Sequence, residues 1–186
     1  MHGSTDVWRG PAPFAVRLDE VSLPDGAGGP FGRLVLEHPG AAVVLAVDTE
    51  ERALVLWQYR HPAATRFVEL PAGVLDVPGE DPLVAAQREL REEALLVAER
   101  WELLLTTYPS PGLSSERIVI FLARDLAPVT DRGGFVPEHE EAVMTTHWVP
   151  VAELVDGVLS GRFRDGPLAL AVLTYATLGR GGASAD

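Results

Sequence analysis

The run "AAVVLAVD" (Ala41–Asp48) constrains the fold of this chain more than any other segment. It is continuously apolar up to Asp48, so it offers no polar side to water. A short run of this kind suits a strand buried on both faces, which requires structure packed above and below it. "TEER" turns the chain, and "ALVLWQYR" (Ala53–Arg60) gives a second strand.

The flanking segments fit such a layered arrangement. "FAVRLDEVSL" (Phe14–Leu23) alternates as a strand. "PDGAGGP" is a turn, and "FGRLVLEH" (Phe31–His38) returns as the second strand of a hairpin. Residues 1–13, with Gly10, Pro11 and Pro13, read as irregular. "RFVELPAGVLDVPGEDP" is a strand fragment followed by a loop rich in Pro and Gly. A helix follows, with Asp81 as its cap and Pro82 in its first turn. "WELLLTTY" and "ERIVIFLA" (Glu116–Ala123) read as strands around "PSPGLSS". "TTHWVP" is a short strand between a polar loop and two further helices, "VAELVDGVLSG" and "PLALAVLTYATL". Trp57 and Trp148 lie in strand-like runs and are expected in the core. Strands interleaved with helices imply an α/β or α+β fold in layers.

Composition removes several function classes. The chain has 186 residues, which suits one domain with a small appendage. The net charge is −12, and all 15 basic residues are Arg, so no nucleic-acid partner is expected and no lysine chemistry is possible. There is no cysteine, hence no disulfide, thiolate nucleophile or Cys-based zinc site. No apolar run approaches the roughly 18 residues of a membrane span, and the start carries no secretory pattern. A cytoplasmic location with no membrane partner is the expectation.

The stretch "VAAQRELREEALLVAERW" (Val84–Trp101) carries the chemistry. With about 100° per residue and Glu89 at zero, Glu92 falls near −60° and Glu93 near +40°. The three acids share a wedge of about 100°, and Leu83, Ala86, Leu90, Ala94 and Val97 form an apolar stripe directly beside it. Like charges at i and i+4 repel. Either the wedge is a solvated face paired with Arg88 and Arg91, or a divalent cation removes the repulsion. Oxygen-rich sites suit Mg²⁺ or Mn²⁺.

Together with the preceding loop, the segment reads G-x6-E-x7-R-E-L-x-E-E-x-L-L, through Gly73, Glu80, Arg88, Glu89, Leu90, Glu92, Glu93, Leu95 and Leu96. This resembles the Nudix box, G-x5-E-x7-R-E-U-x-E-E-x-G-U, with U aliphatic. One extra loop residue and Leu95 in place of Gly are the departures. A Gly there lets a helix end in a left-handed turn, and Leu is strained in that conformation, so the helix is expected to run on or end differently. "QYRHP", "RFVELPAG", Pro111 placed 15 residues after Leu96, "EHEEAVMTTHWVP" and "GRFRDGPLALAVL" resemble the ADP-ribose pyrophosphatase subgroup of that superfamily.

The resemblance implies the Nudix fold, an α/β/α sandwich with a mixed sheet, plus an N-terminal β-hairpin region. Residues 1–40 would form that dimerising region, 41–178 the catalytic domain and 179–186 a tail. It implies hydrolysis of ADP-ribose, or of another nucleoside diphosphate sugar, by a homodimer using Mg²⁺ or Mn²⁺. A third reading, a Nudix-fold ligand sensor without catalysis, is disfavoured by the intact acids. By the same resemblance Glu89 and Glu93 are metal ligands, Glu92 ligates or supports them, and the Ala72 carbonyl completes the site. Gly73, Glu80 and Arg88 are structural. The general base is sought in "PEHEEAVM", with Glu141 favoured over Glu140, Glu138 third, and His139 read as solvated. Arg60, Arg66, Glu69, Pro111 and Glu116 are the candidate substrate contacts, with Ser114 and Ser115 shaping their loop.

Overall fold

The computed structural model describes residues 1–10, 13–135 and 144–181, the side chains of 180 and 181 excepted. Its order is β1 (Gly3–Arg9), β2 (Ala15–Val21), β3 (Phe31–Glu37), β4 (Ala41–Ala46), β5 (Arg52–Arg60), β6 (Thr65–Glu69), β7 (Ala72–Val74), α1 (Pro82–Ala94), β8 (Leu96–Thr107), β9 (Ile118–Pro128), β10 (Thr145–Pro150), α2 (Val151–Leu159) and α3 (Gly166–Gly181).

Strand β4 organises the layers. It lies inside a four-stranded mixed sheet of order β7-β4-β9-β8, antiparallel to β7 and parallel to β9. Successive side chains of a strand point to opposite faces. Val43, Leu45 and Val47 therefore join one core with Leu154 of α2 and Leu168, Ala171 and Val172 of α3. Ala42, Val44 and Ala46 join a second core with Ala85, Ala86 and Leu90 of α1. Strand β9 repeats the pattern, with Ile118 and Ile120 on the first side and Val119 and Phe121 on the second. Burying each such Val or Leu contributes about 1.5–3 kcal/mol. Helices on both faces of a mixed sheet give the α/β/α layering.

A second sheet, β10-β5-β6, is antiparallel, and a third, β1-β2-β3, is formed by the N-terminal segment. β2 and β3 pair as the expected hairpin, and β1 adds a third strand where residues 1–13 were expected to be irregular. Gly3–Arg9 pairs with β2 through a register shift between Asp6 and Trp8. Every residue of β1 is exposed, so it has no inward face and left no alternation to read. Trp57 and Trp148 also depart from expectation: they are 47% and 37% exposed, on strands β5 and β10.

Helix α1 begins as its sequence demands. Asp81 is extended (φ −67°, ψ 131°) and its Oδ1 accepts from the Leu83 amide at 2.8 Å, with Pro82 following. The end differs from expectation. The helix stops at Ala94, and Leu95 itself takes the left-handed conformation (φ 53°, ψ 40°). Its amide donates to Arg91 O at 3.1 Å, and its carbonyl accepts from Val129 N at 2.9 Å. Strand β8 begins at the next residue, so Val97 belongs to that strand and not to the apolar stripe of α1.

Left-handed backbone costs a leucine about 1–2 kcal/mol, and the Leu95 side chain packs into neither core. Leu95→Gly is therefore expected to raise unfolding stability by about 0.5–1 kcal/mol, after the added entropy of the unfolded glycine. Leu95→Ala keeps the strained backbone and should give no gain. Urea titration of the three proteins measures the difference.

Candidate active site

The site forms where β7 lies between β4 and α1. Register pairs Ala42 with Gly73 and Val43 with Ala72, which fixes the "PAG" turn at the edge of the central sheet. The acid wedge of α1 faces this turn. Glu89 and Glu93 are 9% and 7% exposed, so they do not form a solvated helix face. Ala72 enters through its amide, which donates to Glu93 Oε2 at 2.9 Å. A Cβ on Gly73 would lie 1.9 Å from Glu89 Oε1, so only glycine lets the carboxylate come this close to the strand.

Arg88 ties the acids together. Its Nη1 donates to Glu89 Oε1 at 2.7 Å and to Glu92 Oε2 at 3.4 Å, and its Nη2 donates to Glu80 Oε2 at 3.2 Å. Burial disfavours the guanidinium charge. The hydrogen bond to Glu80 and the fields of Glu89, Glu80 and Glu92 outweigh that and hold Arg88 well above its ordinary range. Arg91, by contrast, reaches away from the wedge to Asp131.

These acids line a cavity of about 900 Å³. Across it, Glu69 on β6 is almost fully buried and is gripped by Arg60 on β5: Nε lies 3.0 Å from Oε1 and Nη2 2.7 Å from Oε2. The hydrogen bond to Glu69 raises the Arg60 pKa further. Glu116 lines the same cavity, with its carboxylate 3.8 Å from His38 Nε2. Ser114 Oγ accepts from the Glu116 amide within the loop, and Ser115 Oγ accepts from the His38 amide and so fastens the loop to the end of β3.

Two candidate substrate residues lie elsewhere. Arg66 precedes Phe67 on β6 and points to the other face, lining a groove of about 560 Å³ with Trp57 and Trp148. Strand alternation separates it from Glu69, three positions on. Pro111 borders a different depression, beside Asp19 and Arg33. Glu138, His139, Glu140 and Glu141 fall outside the described residues.

The cavity residues not singled out from sequence include Gln58, Asp76, Arg164 and Asp165. Asp165 accepts from the Leu168 amide at 2.8 Å and so caps α3. Burial, with the nearby charge of Glu69, pushes its carboxyl up to about 6, although the Leu168 hydrogen bond and Arg60 oppose this. An Asp just before "GPL" is a readable cap signal. That it also borders the cavity is a matter of tertiary placement.

Among the described residues, no three His, Cys, Asp or Glu side chains gather closely enough to enclose an ion. The chemistry nevertheless fits one. The donors are carboxylate oxygens, suited to a hard cation, and the acids already hold a positive group, the Arg88 guanidinium, among them.

A family model described as NUDIX domain matches residues 36–169. Over 148 residues the chain is 44% identical to a protein named ADP-ribose pyrophosphatase from Mycobacterium tuberculosis (strain ATCC 25618 / H37Rv), covering 80% of this chain and 69% of that one. A protein of the same name from Bacillus subtilis (strain 168) is 36% identical over 115 residues; the match takes in 62% of this chain but only 60% of the relative's length. The solved structure described as "Crystal structure of ADP compounds hydrolase" superposes with a TM-score of 0.75 over 97% of this chain and 94% of that one, at 21% identity, and so shares the fold. The family model spans most of the chain and takes in β7, α1 and the acids set between them, so the chain belongs to the Nudix hydrolase family.

Proposed function

We propose that this Nudix hydrolase cleaves the diphosphate bond of ADP-ribose, giving AMP and ribose 5-phosphate. The observation that carries the reading is the buried Glu89–Glu93 face of α1 opposite the Arg60–Glu69 pair, across one cavity large enough for a nucleotide sugar. The names of the two bacterial relatives support the choice of ADP-ribose. Another nucleoside diphosphate sugar is the alternative, since Val68 before "ELPAG" offers no aromatic face to stack on an adenine base.

In this reading Glu89, Glu92 and Glu93, with the Ala72 carbonyl, hold Mg²⁺ or Mn²⁺. When bound, such a cation neutralises the diphosphate oxygens and acidifies the attacking water. The chain's own groups do the rest. Arg88 orients the carboxylates, Glu80 anchors Arg88, and Gly73 leaves room for Glu89. Glu141, or Glu140 beside it, takes the proton of the water as it attacks phosphorus, and the bridging P–O bond breaks. Glu69 and Arg60 meet the nucleoside, and Glu116 borders the same space. Arg66 and Pro111 reach substrate only through the second groove and the β3-side depression that they line.

The enzyme is further proposed to act as a cytoplasmic homodimer, with the N-terminal strands meeting the partner. Val7, Trp8, Leu18 and Leu34 are exposed on β1, β2 and β3, which supplies apolar surface for such a contact. No helix among the described residues is long and apolar enough to cross a membrane.

A panel of nucleotide sugars with Mg²⁺ and with Mn²⁺ tests the substrate. AMP should be released from ADP-ribose at least about tenfold faster than products from GDP- or UDP-linked sugars, about 1.4 kcal/mol in transition-state terms. A preference for a guanosine or uridine substrate selects the alternative.

Glu93→Gln can still accept from the Ala72 amide, so the fold should survive while turnover falls by roughly two orders of magnitude or more. Near-normal turnover with either metal would sink the ligand assignment.

Gly73→Ala forces a Cβ into the Glu89 carboxylate. Activity should fall by roughly tenfold or more, with helical circular dichroism retained. An alanine variant of full activity would show that Glu89 need not lie against β7.

A further inference from the structure

A diphosphate entering this cavity meets strong negative charge. Its lining includes seven acids, namely Glu69, Asp76, Glu89, Glu92, Glu93, Glu116 and Asp165, against three arginines. Two of the arginines are committed. Arg60 is bidentate on Glu69, and Arg88 is shared by Glu80, Glu89 and Glu92. The third, Arg164, forms no ion pair, hydrogen bond or ring contact with any described residue. It is exposed, and it stands where the cavity meets the neighbouring groove beside Phe67.

The chain on either side of Arg164 is fixed. Phe163 packs so closely on Gly157 that a Cβ there would lie 2.2 Å from its ring, and its amide donates to Gly157 O at 2.9 Å. Asp165 is held by its cap bond to Leu168. Arg164 is thus an uncommitted guanidinium on a pinned backbone, pointing into an acidic cavity. A guanidinium offers paired N–H donors that match phosphate oxygens.

We infer that Arg164 binds the phosphate of the incoming substrate. The inference rests on the reading of the substrate as a nucleoside diphosphate sugar. Arg164 contacts non-bridging oxygens of the diphosphate and offsets the repulsion of the acids while the substrate is seated. It makes this contact equally to substrate and transition state, so it sets binding more than turnover.

Steady-state kinetics of Arg164→Ala and Arg164→Lys, on the best substrate of the wild-type panel, test this. The alanine variant should raise KM about tenfold with kcat within about threefold, and the lysine variant should recover most of the loss. Melting temperatures should stay unchanged in both. A KM shift below threefold, or a fall in kcat at unchanged KM, overturns the inference. So does a loss that tracks melting temperature. Should the wild type cleave no member of the panel, the substrate reading fails. Binding of ADP with Mg²⁺, measured by calorimetry, then decides the Arg164 inference separately. About tenfold weaker binding by Arg164→Ala supports it, and equal binding, or none by the wild type, overturns it.

Discussion

Glu89 fits beneath β7 only because residue 73 has no side chain, and much of the site follows from that close approach. Strand β7 is three residues long and is held in register by β4. Strand β4 is in turn clamped between two apolar cores. The rigid centre of the fold therefore reaches the acids in two steps: core to β4, and β4 to β7. The amide of Ala72 and the bare Cα of Gly73 then receive Glu93 and Glu89. Burying two carboxylates without partners would be prohibitive. Here the Ala72 amide and the Arg88 guanidinium supply them. The chain's own groups thus partner the acids of the wedge.

Charge explains how the cavity is furnished. Each arginine that holds an acid in place is removed from service toward an anionic substrate. Arg88 serves the α1 acids and Arg60 serves Glu69, with burial strengthening both pairings. A chain of net charge −12 with no lysine has few cations to spare. The repulsion of a diphosphate must be met by something outside these pairs, and the α2–α3 connection supplies the uncommitted Arg164.

The legible parts of the fold were those with a periodic signal. The unbroken apolar run at 41–48 implied cover on both faces, and the two cores divide its side chains by parity. The helix wheel correctly grouped Glu89, Glu92 and Glu93 beside an apolar stripe. It could not say whether they were buried, because burial depends on Gly73, a residue that reaches them only through the fold. Strand β1 was illegible because it is exposed along its whole length and so carries no alternation of apolar and polar residues. Trp57 and Trp148 were misplaced because an aromatic residue in a strand announces the strand but not which face is covered. Arg66 and Glu69 were both expected at the substrate from the resemblance, although an odd spacing on one strand puts them on opposite faces. Arg164 and Asp165 had only a helix-cap signal, and their link to the cavity comes from α3 packing against β4.

Leu95 shows what the helix end must achieve. Glu93 lies one residue inside the end of α1, so the path of the chain at Leu95 helps fix where that carboxylate points. The left-handed turn lets the chain leave the helix after Ala94 and enter β8 at once, where it pairs with β9 from Leu96 to Thr107. A helix continuing by one turn would consume Leu96, Val97 and Ala98, all paired in that ladder. It would also remove the Val129 amide from the Leu95 carbonyl. Those losses, several backbone hydrogen bonds at about 1 kcal/mol each and the burial of Leu96 against the α1 core, exceed the 1–2 kcal/mol of strain at one leucine. The sheet therefore imposes the turn, and the residue type there affects stability more than geometry. That is why a box without its glycine still presents its acids.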